Sequence, residues 1–192
     1  MAEEQKNRIS QIPNSLTLFR LACVPIVVVC LSFDGRWPGF FAALCFGLAF
    51  ITDILDGFYA RRYNSITALG KFMDPLADKL MVSLTMIMLI PFGRIPVWMV
   101  LVIISREMAI TGLRAAAVND GIVIQASKIG KYKTVFQAVA LLGLCLHYPY
   151  FGVDLHIVGM FFLWAALLIT LWSGVDYFRQ FYRVFRIRRV EN

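Results

Sequence analysis

Long apolar runs recur along this chain, and no other feature narrows its possible folds so sharply. Six stretches, at about 13–33, 38–62, 72–92, 95–117, 131–149 and 155–180, are each long enough to cross a bilayer. A helix rises about 1.5 Å per residue, so a hydrocarbon core about 30 Å thick needs roughly 20 apolar residues. Backbone polar groups in lipid must be satisfied internally, which leaves helices or closed barrels. The runs lack the period-two alternation of barrel strands. A mean hydropathy of +0.70 with only 16% charged residues agrees with the helical reading. The expected fold is an all-α integral membrane protein, one domain over residues 1–192 with six transmembrane helices. Residues 1–12 form a short juxtamembrane segment and 181–192 a basic cytoplasmic tail. The polar start MAEEQKNRISQIPN, followed by an apolar run without a small-residue cleavage site, predicts no cleaved leader.

Positive charge predicts the orientation. With an even number of spans both ends share a side, and fifteen of the 19 Lys and Arg residues fall there, while the opposite loops hold only Arg36 and Arg94. Both termini are therefore expected in the cytoplasm. The net charge of +7 reflects this topology, with YRVFRIRRV as a flank against anionic lipid rather than a nucleic-acid site. Cys23, Cys30, Cys45 and Cys145 lie in apolar runs without paired spacing and are read as small hydrophobes. His147 and His156, near the outer ends of spans five and six, are read as interfacial residues rather than metal ligands.

Against this background, DILDGFYARRYNSITALGKFMDPLAD at 53–78 stands out, with four aspartates in one stretch. Asp53 and Asp56 are spaced i, i+3 at the end of span two; Asp74 and Asp78 are spaced i, i+4 at the start of span three. Each spacing puts both carboxylates on one helix face, and the short link makes the two helices antiparallel neighbours whose cytoplasmic ends meet. Charge at membrane depth is costly and marks function. Repulsion among four carboxylates can be relieved by protonation or by cations. Oxygen-only ligands favour Mg²⁺ or Mn²⁺, and four carboxylates can hold two ions about 3.5–4 Å apart, an arrangement used for phosphoryl transfer. The bland reading pairs these acids with Arg61, Arg62, Lys71 and Lys79; convergence of two same-face pairs weighs against it. Gly57 and Ala60 leave room beside the acids, Arg61 can meet a phosphate, and Gly70 allows close backbone approach.

The stretch resembles the signature of the CDP-alcohol phosphotransferase family, D-x2-D-G-x2-A-R-x8-G-x3-D-x3-D, which Asp53, Asp56, Gly57, Ala60, Arg61, Gly70, Asp74 and Asp78 match at every fixed position. The resemblance implies metal binding by Asp53, Asp56, Asp74 and Asp78, with Asp78 also the general base. It implies a pocket for the CDP donor at Gly57, Ala60, Arg61 and Gly70. PNSLTLFR is similar to the family's N-terminal pattern, placing Asn14, Thr17 and Arg20 near the nucleotide phosphates. A homodimer is also implied.

The signature leaves the acceptor open. SREMAITGLRAAA and ASKIGKYKTVFQ gather Arg106, Arg114, Lys128, Lys131 and Lys133 near spans four and five. A mid-span arginine should face a polar cavity, and such cations suit an acceptor carrying its own phosphate. Arg106 and Arg114, offset by roughly 80° at about 100° per residue, flank one sector of their helix. Glu107 is expected to pair with a neighbouring cation and fix the helix. These stretches, with ALGKFMDPLADKL, resemble the branch of the family that makes phosphatidylglycerophosphate. That resemblance implies CDP-diacylglycerol as donor, sn-glycerol 3-phosphate as acceptor and membrane lipid as surroundings. Inositol phosphate or a phospholipid acceptor remains open on charge alone. A divalent-cation transporter is the rival from another class; the clustering of all four aspartates at the cytoplasmic face weighs against it. No Ser, Cys or His stands in the motif as a nucleophile, so direct displacement is expected.

Overall fold

A computed structural model of the chain describes residues 18–63, 68–119, 129–150 and 152–191, with side chains described over 18–54, 76–118, 132–150 and 152–183. Six helices occupy these residues: α1 (Leu18–Leu31), α2 (Arg36–Tyr63), α3 (Ala68–Leu89), α4 (Val97–Asn119), α5 (Ile129–Leu146) and α6 (Leu155–Glu191). A two-residue antiparallel hairpin, β1 (Pro149–Tyr150) with β2 (Val153–Asp154), joins α5 to α6.

Each apolar run becomes a helix, and turn residues set the ends. The run at 72–92 stops as a helix at Leu89. Gly93 takes φ 66° and the Arg94 N–H donates to the Leu89 carbonyl at 3.2 Å, a left-handed cap that ends the ladder. Pro96 immediately precedes α4, where its missing N–H costs nothing. Asp34 Oδ1 accepts from Gly35 N at 3.0 Å in the α1–α2 turn. At the start of α6, Asp154 Oδ1 accepts from His156 N at 2.9 Å and Ile157 N at 3.3 Å, an N-cap that satisfies two otherwise unpaired donors. The basic tail does not leave the last helix: α6 continues to Glu191, 37 residues, or about 55 Å at 1.5 Å per residue.

α5 is the central helix, packed against α2, α3 and α6, and α4 lies against α6 and α3. Phe46, Leu31, Met86, Leu89, Met99, Leu141, Leu144 and Leu163 fill the core. The helices α5 and α6 approach closely because glycine faces glycine. A Cβ on Gly143 would stand 3.0 Å from Gly159 Cα, and one on Gly159 would stand 2.8 Å from Leu144 Cγ. The outside of the bundle is also apolar: Ile157, Phe161, Leu168 and Trp172 on α6 are each more than 60% exposed. A contiguous face of this kind is covered by lipid or protein in its native setting. By length and composition, Arg36–Ile54 and Leu155–Arg183 are long and apolar enough to cross a membrane; Leu18–Leu31 and Tyr132–Leu146 are shorter apolar helices.

The two cations at the end of the bundle away from the aspartates both act as clasps. Arg94 donates to the Cys145 carbonyl at 3.1 Å and pairs with Asp34 at 2.9 Å. Arg36 donates to the Pro149 carbonyl at 3.2 Å and lies 4.5 Å from the Tyr150 ring centre. All four cysteines are free thiols; Cys23 and Cys145 are buried, Cys30 and Cys45 half-buried.

Candidate active site

Two of the four signature aspartates have described side chains, and they come from different helices. Asp53, near the end of α2, pairs with Arg20 of α1 at 2.8 Å. Arg20 is only 2% exposed, so the carboxylate offsets a guanidinium that has left water. Asp78, in α3, is half-buried and lies within electrostatic range of Asp53, Arg20, Glu107 and Lys133. The carboxylates of α2 and α3 thus act on one another across the helix boundary. Asp56 and Asp74 lie in the same two helices. The side chains of Asp56, Gly57, Ala60, Arg61, Gly70, Asp74 and Lys131 lie outside the described residues, as do Asn14, Thr17 and Lys128 altogether.

Beside Asp78 lies a cavity of about 30 Å³ between α3, α4 and α5, lined among others by Asp78, Lys79, Glu107, Lys133 and Gln137. It is large enough for one or two waters. Glu107 organises the charges here. It pairs with Lys133 of α5 and accepts from Arg106 Nη1 at 3.3 Å, as expected of a carboxylate beside several cations. Lys79 donates to Thr111 Oγ1 on α4, while Thr111 Oγ1 donates to the Glu107 carbonyl at 2.8 Å.

Arg106 spans two helices. Nη1 serves Glu107, and Nη2 donates to Ser173 Oγ of α6 at 2.9 Å. The approach needs glycine: a Cβ on Gly174 would stand 3.2 Å from Arg106 Nε. That Nε is buried with no hydrogen-bond partner among the described residues. Two turns further on, the Arg114 guanidinium lies 5.9 Å from the ring centre of Tyr177. Both arginines therefore face α6, as their roughly 80° offset allows.

The aspartates and the basic residues of α4 and α5 fall inside a longer match. Residues 10–172 match the family model for CDP-alcohol phosphatidyltransferase. The chain belongs to the CDP-alcohol phosphatidyltransferase family. Curated relatives extend the similarity across most of this family member. It is 40% identical over 179 residues to the CDP-diacylglycerol--glycerol-3-phosphate 3-phosphatidyltransferase of Bacillus subtilis, covering 87% of this chain and 93% of that one. The Escherichia coli protein of the same name is 39% identical over 171 residues, covering 86% and 92%. A Mycobacterium tuberculosis protein named as a probable phosphatidylglycerophosphate synthase is 40% identical over 173 residues, covering 88% and 81%.

Within this CDP-alcohol phosphatidyltransferase, the fold brings Arg20, Asp53, Asp78, Glu107 and Lys133 into one electrostatic cluster and sets Arg106 and Arg114 against α6. Ser173, Tyr177 and Gln137 belong to these surroundings without having been singled out in the sequence. All three are buried polar residues inside otherwise apolar runs, and that is the signal by which they could have been found.

Proposed function

We infer that this enzyme transfers the phosphatidyl group of CDP-diacylglycerol to sn-glycerol 3-phosphate, giving phosphatidylglycerophosphate and CMP for phospholipid biosynthesis. The observation that carries the reading is the near-full-length similarity to proteins named for that transfer. The six helices are read as spans, both termini and the aspartate end face the cytoplasm, and the protein resides in the cell membrane. The apolar outer faces of α3 to α6 offer a surface for lipid or for a second copy in a homodimer.

The donor enters sideways from lipid, its CDP reaching the aspartate end of the bundle, with Asn14, Thr17, Arg20, Gly57, Ala60, Arg61 and Gly70 around it. Asp53, Asp56, Asp74 and Asp78 are proposed to hold two divalent cations, Mg²⁺ or Mn²⁺. The fit rests on an all-oxygen donor set and on Asp53 and Asp78 lying within electrostatic range of one another, two carboxylates that would gain from a nearby cation. Bound there, the cations supply charge stabilisation to the pyrophosphate oxygens. Asp78 takes the proton from the primary hydroxyl of glycerol 3-phosphate. The hydroxyl oxygen attacks the phosphorus bearing the diacylglycerol, and the bond to the CMP oxygen breaks. Arg106, Arg114, Lys128, Lys131 and Lys133 take the acceptor phosphate. Lys133, which lines the cavity beside Asp78, is the cation of this set nearest the proposed base among the described residues.

Purified protein given CDP-diacylglycerol, Mg²⁺ and a panel of radiolabelled acceptors tests the reading. Label should enter lipid from glycerol 3-phosphate. Incorporation from serine or inositol phosphate instead would assign a different acceptor.

A further inference from the structure

A histidine just past the end of α5 meets one in the first turn of α6, at the end of the bundle away from the aspartates. His147 Nδ1 and His156 Nδ1 lie 3.2 Å apart, with ring centres 4.8 Å apart. The pair is built into the backbone. His147 N donates to the Gly143 carbonyl at 2.9 Å and takes φ 54°, the left-handed position closing α5 that glycine usually fills. His156 occupies the first turn of α6, its N–H held by Asp154 at 2.9 Å. The Gly143–Gly159 contact, one turn from each imidazole, holds the two helices in this register.

The spacing has a chemical meaning. Two imidazole nitrogens on one tetrahedral Zn²⁺, each about 2.0–2.1 Å from the ion, stand about 3.3 Å apart; on a square-planar ion they would be about 2.9 Å apart. The charges around the pair are of both signs. His147 is in electrostatic contact with Asp154 and Asp34 as well as Arg94, and Arg94 is already paired with Asp34 at 2.9 Å. Asp154, whose Oδ1 is held by the first N–H groups of α6, adds a carboxylate on the same side. We propose that His147 and His156 form an open Zn²⁺ site tying the end of α5 to the start of α6. Among the described residues no third His, Cys, Asp or Glu completes a ligand set, so water fills the remaining positions. The site is separate from the aspartates. Gly39, at the start of α2, faces the Cys145 carbonyl, and Asp53 lies 14 residues further along that helix, about 21 Å at 1.5 Å per residue.

The test uses full-length protein in detergent with Mg²⁺ in excess, so that the hard-oxygen site is filled, and Zn²⁺ as the titrant. Wild type should bind one Zn²⁺ at micromolar free metal and unfold at a higher temperature in its presence. His156→Gln removes one ligand. His147→Asn removes the other while keeping a residue that accepts positive φ. Zn²⁺ affinity should fall about tenfold or more in each, the thermal shift should vanish, and Mg²⁺-supported CMP release should be unchanged. Equal Zn²⁺ binding in wild type and both variants, or none in wild type, would overturn the proposal.

Discussion

Replacing Arg106 with alanine asks most directly whether the basic cluster recognises the acceptor. Arg106 is held by Glu107 at 3.3 Å and Ser173 at 2.9 Å, with its Nε unpaired among the described residues. Its removal does not strand a buried carboxylate, because Glu107 keeps Lys133. The folded state loses chiefly the tether to Ser173. The ligand loses more: a charge-assisted hydrogen bond contributes about 1.5–3 kcal/mol, and each 1.36 kcal/mol is tenfold. Arg106→Ala should therefore raise the KM for glycerol 3-phosphate by roughly ten- to a hundredfold, leaving the KM for CDP-diacylglycerol within about twofold. The assay is CMP release with one substrate varied and the other saturating. Ser173→Ala serves as control, since it removes the tether and keeps the cation; its acceptor KM should rise by less than about tenfold. A change confined to the donor KM would refute the assignment of Arg106 to the acceptor. Equal effects in the two variants would show that Arg106 acts through helix packing alone.

The other outcomes concern the aspartates and the helix contact. Asp78→Asn should abolish turnover while leaving Mn²⁺ binding, measured by electron paramagnetic resonance, largely intact; near-normal rates would exclude Asp78 as the base. Asp53→Asn should weaken Mn²⁺ binding and CMP release together, and undiminished metal affinity would remove it from the ligand set. Gly159→Leu should lower the unfolding midpoint, because its Cβ would stand 2.8 Å from Leu144 Cγ and 2.9 Å from Leu144 N. Overpacking of this kind costs about 1–3 kcal/mol, and an unchanged midpoint would mean that α5 and α6 separate freely.

Features carried by local spacing were legible before the fold was known. The apolar runs became helices, and the i, i+3 and i, i+4 aspartates lie in α2 and α3, because period and face are properties of a few consecutive residues. Helix ends were less legible. The left-handed cap at Gly93 ends α3 three residues before the apolar run does, and the tail prolongs α6 because nothing in YRVFRIRRV breaks a helix. Pairings across the bundle could not be read from spacing. The sequence shows Arg36 and Arg94 as two exceptions to a charge bias, but their clasp on Pro149, Cys145 and Asp34 joins residues up to 113 positions apart. Glu107 was expected to find a cation; that Lys133 is its partner, 26 positions away, follows from α4 and α5 both packing against α3 and α6. The same holds for His147 and His156, which read as separate interfacial residues until the hairpin turned one onto the other.

The most direct measurement of the central claim is CMP release from CDP-diacylglycerol and glycerol 3-phosphate before and after exhaustive chelation of divalent metal. If carboxylates from α2 and α3 gather around cations to carry out the transfer, release requires the acceptor, stops on chelation and returns when Mg²⁺ or Mn²⁺ is restored. Release that continues undiminished in the chelated enzyme would contradict the account.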